Sequence, residues 1–202
     1  MKKAAKFALI KTIPIFLGYL FLGIAFGLLL QKSGLGVFWA FLISTLVYAG
    51  SMQFALVGIL TGGLSYVTTA VMTLFINSRH AFYGLTFIER FKEMRKTYPY
   101  MVFSLTDETY SLLCSMARPA DFTDSEWKAA TFFTAFFDQC YWIAGSVLGA
   151  LMGELITFDT TGIDFAMTAL FVVICVDQWK AAKTHIPAVT GFICGALFLV
   201  LI

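Results

Sequence analysis

Charged side chains inside apolar sequence have the clearest chemical consequences in this chain. Arg79 and His80 lie about ten residues before the basic loop 89–99, which on a helix places them about 15 Å deep, half of the hydrocarbon core of a bilayer. An arginine at that depth costs at least about 2.5 kcal/mol on insertion scales. We therefore expect Arg79 to have an acidic partner. On the same helix, Asn77 and His80 share a face, and Arg79 points towards the side of Tyr83.

Acidic side chains at similar depth are the natural counter-charges. Asp107 and Glu108 fall inside the polar interruption 106–109 of an apolar segment, and Asp138 lies in a later apolar segment. Ionisable residues inside a membrane are functional candidates by default. We predict that proton coupling involves Asp107, Glu108, His80 or Asp138. The alternative is a fixed ion pair of Arg79 with Asp107 or Glu108 that only locks helices together.

A third polar feature interrupts the apolar stretch 35–60. Gly50, Ser51 and Gln53 lie in its middle. Unpaired polar groups in hydrocarbon cost several kcal/mol, so such an interruption is tolerated only where it faces protein or a water-filled cavity. We predict that the helix unwinds near 49–51 and forms one wall of a substrate site. The alternative is that Gly50 and Ser51 are small residues that permit close helix packing.

The composition defines the class of protein that must position these residues. The 202 residues are 59% hydrophobic and 13% charged, with a mean hydropathy of +0.83. Soluble domains carry about 25% charged residues. We predict an all-α, polytopic membrane protein in the lipid bilayer, with residues 1–202 forming one transmembrane domain of about seven segments with discontinuous helices. The segments are 13–30, 35–60, 64–88, 100–117, 128–152, 165–179 and 186–202.

Several functional classes are disfavoured by the same sequence. The four cysteines lie in apolar segments without CxxC spacing, and the two histidines are far apart. No nucleophile elbow, phosphate-binding loop or HExxH motif occurs. The basic residues sit in short loops, where they report membrane orientation. We therefore predict no enzyme activity, no metal or other cofactor, and no nucleic-acid partner.

The topology has two self-consistent solutions. Lysines at 2, 3, 6 and 11 place the amino terminus in the cytoplasm. The basic loop 89–99 belongs on the same side if segments 35–60 and 100–117 are re-entrant. Residues 48–51 resemble residues 143–146, which suggests a 3+3 inverted repeat of spanning helices. We favour spanning segments, because packing can override the charge signal. Since the chain ends in apolar sequence, we also expect the parent protein to continue beyond Ile202.

Four motifs occur in order along the chain: Gly23–Gly27 (GIAFG), Val47–Phe54 (VYAGSMQF), Asn77–Gly84 (NSRHAFYG) and Leu105–Thr109 (LTDET). Together they resemble one known family, the AzlC family, the large subunit of branched-chain amino acid exporters. The resemblance covers most of the chain. It implies a multi-pass transporter in the cell membrane of a bacterium or archaeon. It also implies a small AzlD-type membrane subunit as partner and an apolar amino acid such as valine, leucine, isoleucine or methionine as substrate.

Together these observations predict a secondary exporter of branched-chain or similar amino acids. The substrate carboxylate would meet Arg79 and the amides near Gly50, and its ammonium would meet Asp107 or Glu108. The predicted substrate-binding set is Tyr48, Gly50, Ser51, Gln53, Asn77, Arg79 and Tyr83, with Phe54 as a further apolar contact. An uncoupled channel for ions or small solutes and a non-transporting scaffold are the alternatives.

Overall fold

The computed structural model describes residues 1–155 and 184–201, together with 165, 169, 172, 175, 176, 179, 180 and 182. Its contacts divide the chain into two units, Met1–Ile163 and Asp164–Ile202. Within the described residues, the regular secondary structure is helical, which confirms the all-α prediction.

The first unit contains most of the helices. They are α1 (Lys2–Lys32), α2 (Val37–Leu46), α3 (Gly50–Gly62), α4 (Tyr66–Lys92), a 3₁₀ turn (Arg95–Thr97), α5 (Tyr98–Phe103), α6 (Asp107–Ser115) and α7 (Asp124–Leu155). The second unit contains α8 (Ile186–Leu201). Most of the segment predicted at 165–179 lies outside the described residues.

Helix lengths match a membrane setting in different ways. Among the described residues, α1 alone combines the length and the hydropathy of a conventional membrane span. Helices α4 and α7, of 27 and 32 residues, are long enough at about 40 Å or more but carry charged and amide side chains. Shorter apolar helices occur at Val37–Leu46, Gly50–Gly62 and Ala188–Leu197.

Glycines bring α1 and α7 into backbone contact. A Cβ atom added at Gly23 would lie 2.9 Å from the backbone nitrogen of Ser146, and one added at Gly145 would lie 2.9 Å from the carbonyl of Tyr19. Backbone atoms cannot move aside as a flexible side chain can. Small residues at a helix contact are the usual way to permit such close approach in membranes. The α1–α7 pair is therefore the closely packed part of this unit.

Helices α1 and α7 run parallel. Phe7 of α1 packs edge-on against Trp127, at the start of α7. At the other end, a Cβ atom at Gly153 would lie 3.1 Å from the side chain of Gln31. The starts of α1 and α7 thus lie at one end of the unit, and their final turns lie at the other.

Ion pairs place the end of α4 with the starts of α1 and α7. Lys128 of α7 pairs with Glu93, which follows α4, at 3.1 Å. Lys3 of α1 pairs with Asp121, just before α7, at 2.8 Å. The loop 89–99 therefore shares an end with the amino terminus, as its basic charge suggested.

Two helical hairpins follow from this arrangement. Helix α4 ends near the start of α1. The beginning of α4 therefore lies near the other end of α1. The end of α3, which precedes α4, and the beginning of α2, which follows α1, lie there as well. Helices α2 and α3 thus enter and leave at the same end. Helices α5 and α6 enter from the opposite end, because they connect the turn at 95–97 to the start of α7. Both segments are re-entrant, and the preference for spanning segments was wrong.

The reason for that error lies in the comparison of 48–51 with 143–146. Gly50 begins a new helix, whereas Gly145 lies inside the uninterrupted α7 and touches α1. The same residue types thus interrupt the helix at 48–51 and permit close helix packing at 143–146. The 3+3 inverted repeat stays a prediction, since much of its second half lies outside the described residues.

Candidate functional site

The first helix break lies where the sequence predicted it. Helix α2 ends at Leu46, α3 begins at Gly50, and Tyr48 between them has a φ of 39°. A non-glycine residue in this left-handed region costs of order 1–3 kcal/mol and persists only when its surroundings fix it. Tyr48 is buried, and its ring lies 6.2 Å from that of Phe103, at the end of α5. The two breaks therefore meet inside the unit.

Gln53 holds the first break together. Its Oε1 accepts hydrogen bonds from the Ala49 backbone N–H at 3.2 Å and from Trp142 Nε1 at 2.9 Å. Its Nε2 donates to Ser44 Oγ at 3.3 Å. Gln53 is fully buried, so these bonds join α2, α3 and α7 around one amide. Both ends of this amide are used by protein partners.

The second break lies slightly earlier than the sequence suggested. Helix α5 ends at Phe103 and α6 begins at Asp107, so the interruption is 104–106 and not 106–109. Thr106 Oγ1 accepts the N–H of Thr109 at 3.3 Å and caps α6. Asp107 and Glu108 therefore occupy the first helical turn, where the helix dipole favours negative charge.

Arg79 connects the two half-helices. Its Nη2 donates to Ser51 Oγ at 2.6 Å, in the first turn of α3, and pairs with Asp107 Oδ2 at 2.9 Å, in the first turn of α6. Arg79 lies at the midpoint of α4, and the Arg79 and Asp107 side chains are 30% and 21% exposed. Asp107 Oδ1 has no hydrogen-bond partner among the described residues. This ion pair is thus partly accessible.

The remaining α4 candidates flank the ion pair. His80 Nδ1 lies 3.2 Å from the carbonyl of Asn77, and the His80 ring packs edge-on against Tyr83 at 5.8 Å. Tyr83 stacks on Tyr110 of α6 at 4.5 Å. The Asn77 Oδ1 atom is buried without a hydrogen-bond partner in the described part of the chain. Tyr83 is therefore an aromatic wall beside Asp107, and Asn77 has unused acceptor capacity.

The other two acids belong to a separate buried network. The Tyr19 hydroxyl donates to Glu108 Oε2 at 2.8 Å and lies 2.6 Å from Thr106 Oγ1. Thr109 Oγ1 donates to Asp138 Oδ2 at 2.8 Å. Sequence reasoning missed Tyr19 and both threonines. A tyrosine in an apolar helix carries no sequence signal of its own, although the threonines flanking Asp107 and Glu108 do match a helix cap.

The structure thus brings together part of the predicted set. Arg79 contacts both Ser51 and Asp107. Gly50 lies in the same helical turn as Ser51, and Tyr83 lies beside Asp107. Tyr48, Gln53 and Asp138 are buried in the packing behind them. Among the described residues, no group of three or more His, Cys, Asp or Glu side chains is placed to hold a metal ion.

Two broken helices that meet at a partly buried, charged centre are typical of helical membrane proteins that handle small polar or charged solutes. The AzlC protein family matches residues 14–156. The chain belongs to the AzlC family, a family of membrane transport proteins and not of enzymes.

Individual relatives agree with this assignment. The branched-chain amino acid transport protein AzlC of Bacillus subtilis is 37% identical over 180 residues, which cover 89% of this chain and 70% of that protein. A membrane protein of Helicobacter pylori is 36% identical over 200 residues, covering 97% and 86%. The inner membrane protein YgaZ of Escherichia coli is 24% identical over 193 residues, covering 92% and 77%. No solved structure matches the chain.

Proposed function

We propose that the chain is a secondary transporter that exports branched-chain or similarly apolar amino acids. The observation that carries the proposal is the contact of Arg79 with Ser51 and Asp107, at the first turns of two half-helices. The Bacillus subtilis relative, named for branched-chain amino acid transport, supports the substrate class.

A zwitterion can replace this internal ion pair. The substrate carboxylate would take the place of the Asp107 carboxylate on Arg79, and would also meet the N–H groups in the first turn of α3 near Gly50 and Ser51. The substrate ammonium would then pair with the released Asp107. Charges stay compensated in both states, so the exchange leaves no isolated ion in a dry environment.

The geometry also supports roles for the other predicted residues. The aliphatic part of the substrate would lie against the Tyr83–Tyr110 stack, and Asn77 Oδ1 offers a further acceptor. Tyr48 and Phe54 are buried, with Phe54 packed against Phe26. We therefore propose that Tyr48, Phe54 and Gln53 shape the site from behind and do not touch the substrate.

The acidic side chains of the unit support a proton gradient as the energy source. Asp107 is occupied by Arg79, whereas Glu108 and Asp138 are held by hydroxyl groups. A carboxyl group held by neutral hydroxyls can gain and lose a proton without breaking an ion pair. We propose Glu108 and Asp138 as the proton-carrying groups, with His80 as a neighbour of the substrate site.

The setting of the transporter follows from the same family and charge pattern. We propose a prokaryotic inner or plasma membrane, as the name of the Escherichia coli relative states for that protein. The lysine-rich amino terminus and the loop 89–99 would face the cytoplasm. We further propose that a small AzlD-type membrane subunit completes the transporter.

Substitution of Arg79 tests the proposal in proteoliposomes loaded with labelled leucine. Arg79→Gln should lower pH-gradient-driven leucine movement by about 30-fold, since losing one partner of a partly buried charge pair costs roughly 2 kcal/mol. Arg118→Gln is the matched control, because it removes an arginine ion pair at the end of the unit, with Asp124. Gel filtration and thermal unfolding verify the fold of both variants. Undiminished transport by Arg79→Gln would contradict the proposed clamp, and passive leucine leak in the unmodified protein would favour an uncoupled channel.

A further inference from the structure

We propose that the hydroxyl groups of Tyr19, Thr106 and Thr109 form a proton path between Glu108 and Asp138. The inference deepens the proposed function, because it rests on proton-coupled transport and names the route. The path joins α1, the second helix break, α6 and α7.

Continuous hydrogen bonding is the first support. Along the path, Tyr19 Oη lies 2.8 Å from Glu108 Oε2 and 2.6 Å from Thr106 Oγ1. Thr106 Oγ1 lies 3.1 Å from Thr109 Oγ1, which lies 2.8 Å from Asp138 Oδ2. The first, second and last of these distances are typical of O–H···O hydrogen bonds, and the third is slightly long.

Burial is the second support. Thr109 and Asp138 have no exposed surface, and Tyr19 and Thr106 are 3% and 6% exposed. Asp138 Oδ1 is buried and has no hydrogen-bond partner in the part of the chain that the structure describes. An acid in this position needs a route for its proton. The hydroxyl of Thr109 is the contact that the structure provides for it.

The transfer balances in atoms and charge. Protonated Glu108 donates its hydrogen to Tyr19 Oη as Tyr19 passes its own hydrogen to Thr106. Thr106 passes its hydrogen to Thr109, and Thr109 passes its hydrogen to the Asp138 carboxylate. Four O–H bonds break and four form. Glu108 becomes a carboxylate and Asp138 becomes a neutral acid, while each hydroxyl group ends with one hydrogen.

The path begins one residue from the substrate site. Glu108 follows Asp107, which pairs with Arg79. A substrate that displaced this ion pair would rearrange the charges around Glu108. This rearrangement would change which of the two acids, Glu108 or Asp138, holds the proton more tightly. The titratable and charged groups that act on the two acids from the surrounding elements are Tyr19 of α1, Tyr48 of the first break, Arg79 of α4, Tyr100 of α5 and Asp107 of α6.

Two variants interrupt the path without touching the ion pair. Tyr19→Phe and Thr109→Val each remove one hydroxyl group and keep most of the side-chain volume. Thr109→Ser restores the hydroxyl group. The matched controls are Tyr141→Phe and Thr12→Val, because these hydroxyls form a hydrogen bond of 3.1 Å between the same helices, α7 and α1, away from the path.

Two transport measurements distinguish loss of the proton path from damage to the substrate site. Leucine exchange at equal pH on both sides needs no net proton movement, whereas uphill leucine accumulation driven by a pH gradient does. Positioned proton-transfer groups typically contribute about 10²-fold or more, so Tyr19→Phe and Thr109→Val should lower uphill accumulation at least about tenfold. Exchange should stay near that of the unmodified protein. Thr109→Ser and both controls should retain both modes.

The outcomes are separable. Unchanged uphill accumulation in both variants would overturn the path, and so would equal losses of exchange and accumulation, which indicate a structural role. If the unmodified protein exchanged leucine but ignored the pH gradient, the path would fail while amino acid transport stood. If it moved no leucine at all, the proposed function would fail.

An infrared measurement then still tests the path without transport. At a pH low enough to protonate Asp138, its carboxyl band is identified by its loss in Asp138→Asn. Transfer to D₂O should shift this band faster in the unmodified protein than in Thr109→Val. Equal rates would overturn the path.

Discussion

The two helix breaks are similar in the backbone and different in what closes them. The first break, at 47–49, is closed by Gln53 of α3, whose amide is in turn held by Trp142 of α7. The second break, at 104–106, is closed locally by the cap of Thr106. The first break contributes no ionised side chain, whereas the second is followed at once by Asp107 and Glu108.

This difference gives the site two chemically distinct walls. The positive dipole end of α3 is not offset by an acid in its first turn, whereas that of α6 is offset by two. Arg79 adds its positive charge between them and contacts both. In the proposed site, a solute with one negative and one positive end would therefore have a single favourable orientation. This contrast between a neutral and an acidic break supports the amino acid substrate that we propose.

The largest predicted effect concerns the sides of the membrane from which the two hairpins enter. In a variant with Cys114, Cys140, Cys175 and Cys194 replaced by serine, we place single cysteines at Leu64, after the first hairpin, and at Lys92, before the second. An impermeant thiol reagent should label Leu64→Cys from one side of the membrane only and Lys92→Cys from the other only. Intact cells and inside-out vesicles provide the two sides.

Lys3→Cys serves as the reference for the side of the amino terminus. It should be labelled from the same side as Lys92→Cys, because Lys3 and Glu93 both contact the region around the start of α7. If Lys92→Cys were labelled from the same side as Leu64→Cys, the hairpins would not enter from opposite ends. The comparison of two opposed breaks would then fail.

Much of this architecture can be predicted from the sequence because apolar stretches and polar interruptions are local signals. The break near Gly50 and the need of Arg79 for an acid both follow from the cost of unpaired polar groups in hydrocarbon. These features depend on nearby residues and on membrane depth.

Other features depend on contacts between residues that are far apart in the chain, and these contacts cannot be predicted from a single sequence. Gln53 looked like a ligand for substrate, yet its neighbour Trp142 is 89 positions away and engages its amide. Tyr19 is one of many aromatic residues in the apolar segments, and nothing in the sequence indicates that its hydroxyl group donates to Glu108. The choice of spanning over re-entrant hairpins failed for a different reason. The short resemblance of 48–51 to 143–146 outweighed the basic charge of loop 89–99, with which the contact of Glu93 and Lys128 agrees.

The next largest effect tests how the first break is closed. Gln53→Met should destabilise the protein by about 3 kcal/mol, because it leaves Trp142 Nε1 and the Ala49 N–H buried without an acceptor. Chemical unfolding in detergent, followed by tryptophan fluorescence, measures this free energy. Gln31→Met is the matched control, since Gln31 Oε1 has no hydrogen-bond partner among the described residues. Equal stability of the two variants would show that the first break does not depend on Gln53.

The smallest effect tests the local closure of the second break. Thr106→Ala removes the cap of α6 and should cost about 1 kcal/mol, less than the change at Gln53. The hydroxyl groups of Tyr19 and Thr109 also lose a contact. Each of these two hydroxyl groups keeps its bond to a carboxylate, Glu108 for Tyr19 and Asp138 for Thr109. Hydrogen–deuterium exchange should report faster opening of the first turn of α6 and unchanged protection of α3. Thr106→Ser, which keeps the hydroxyl group, should behave like the unmodified protein. If α3 lost protection together with α6, the two breaks would open as one unit, and the neutral and acidic walls would not be independent parts of the site.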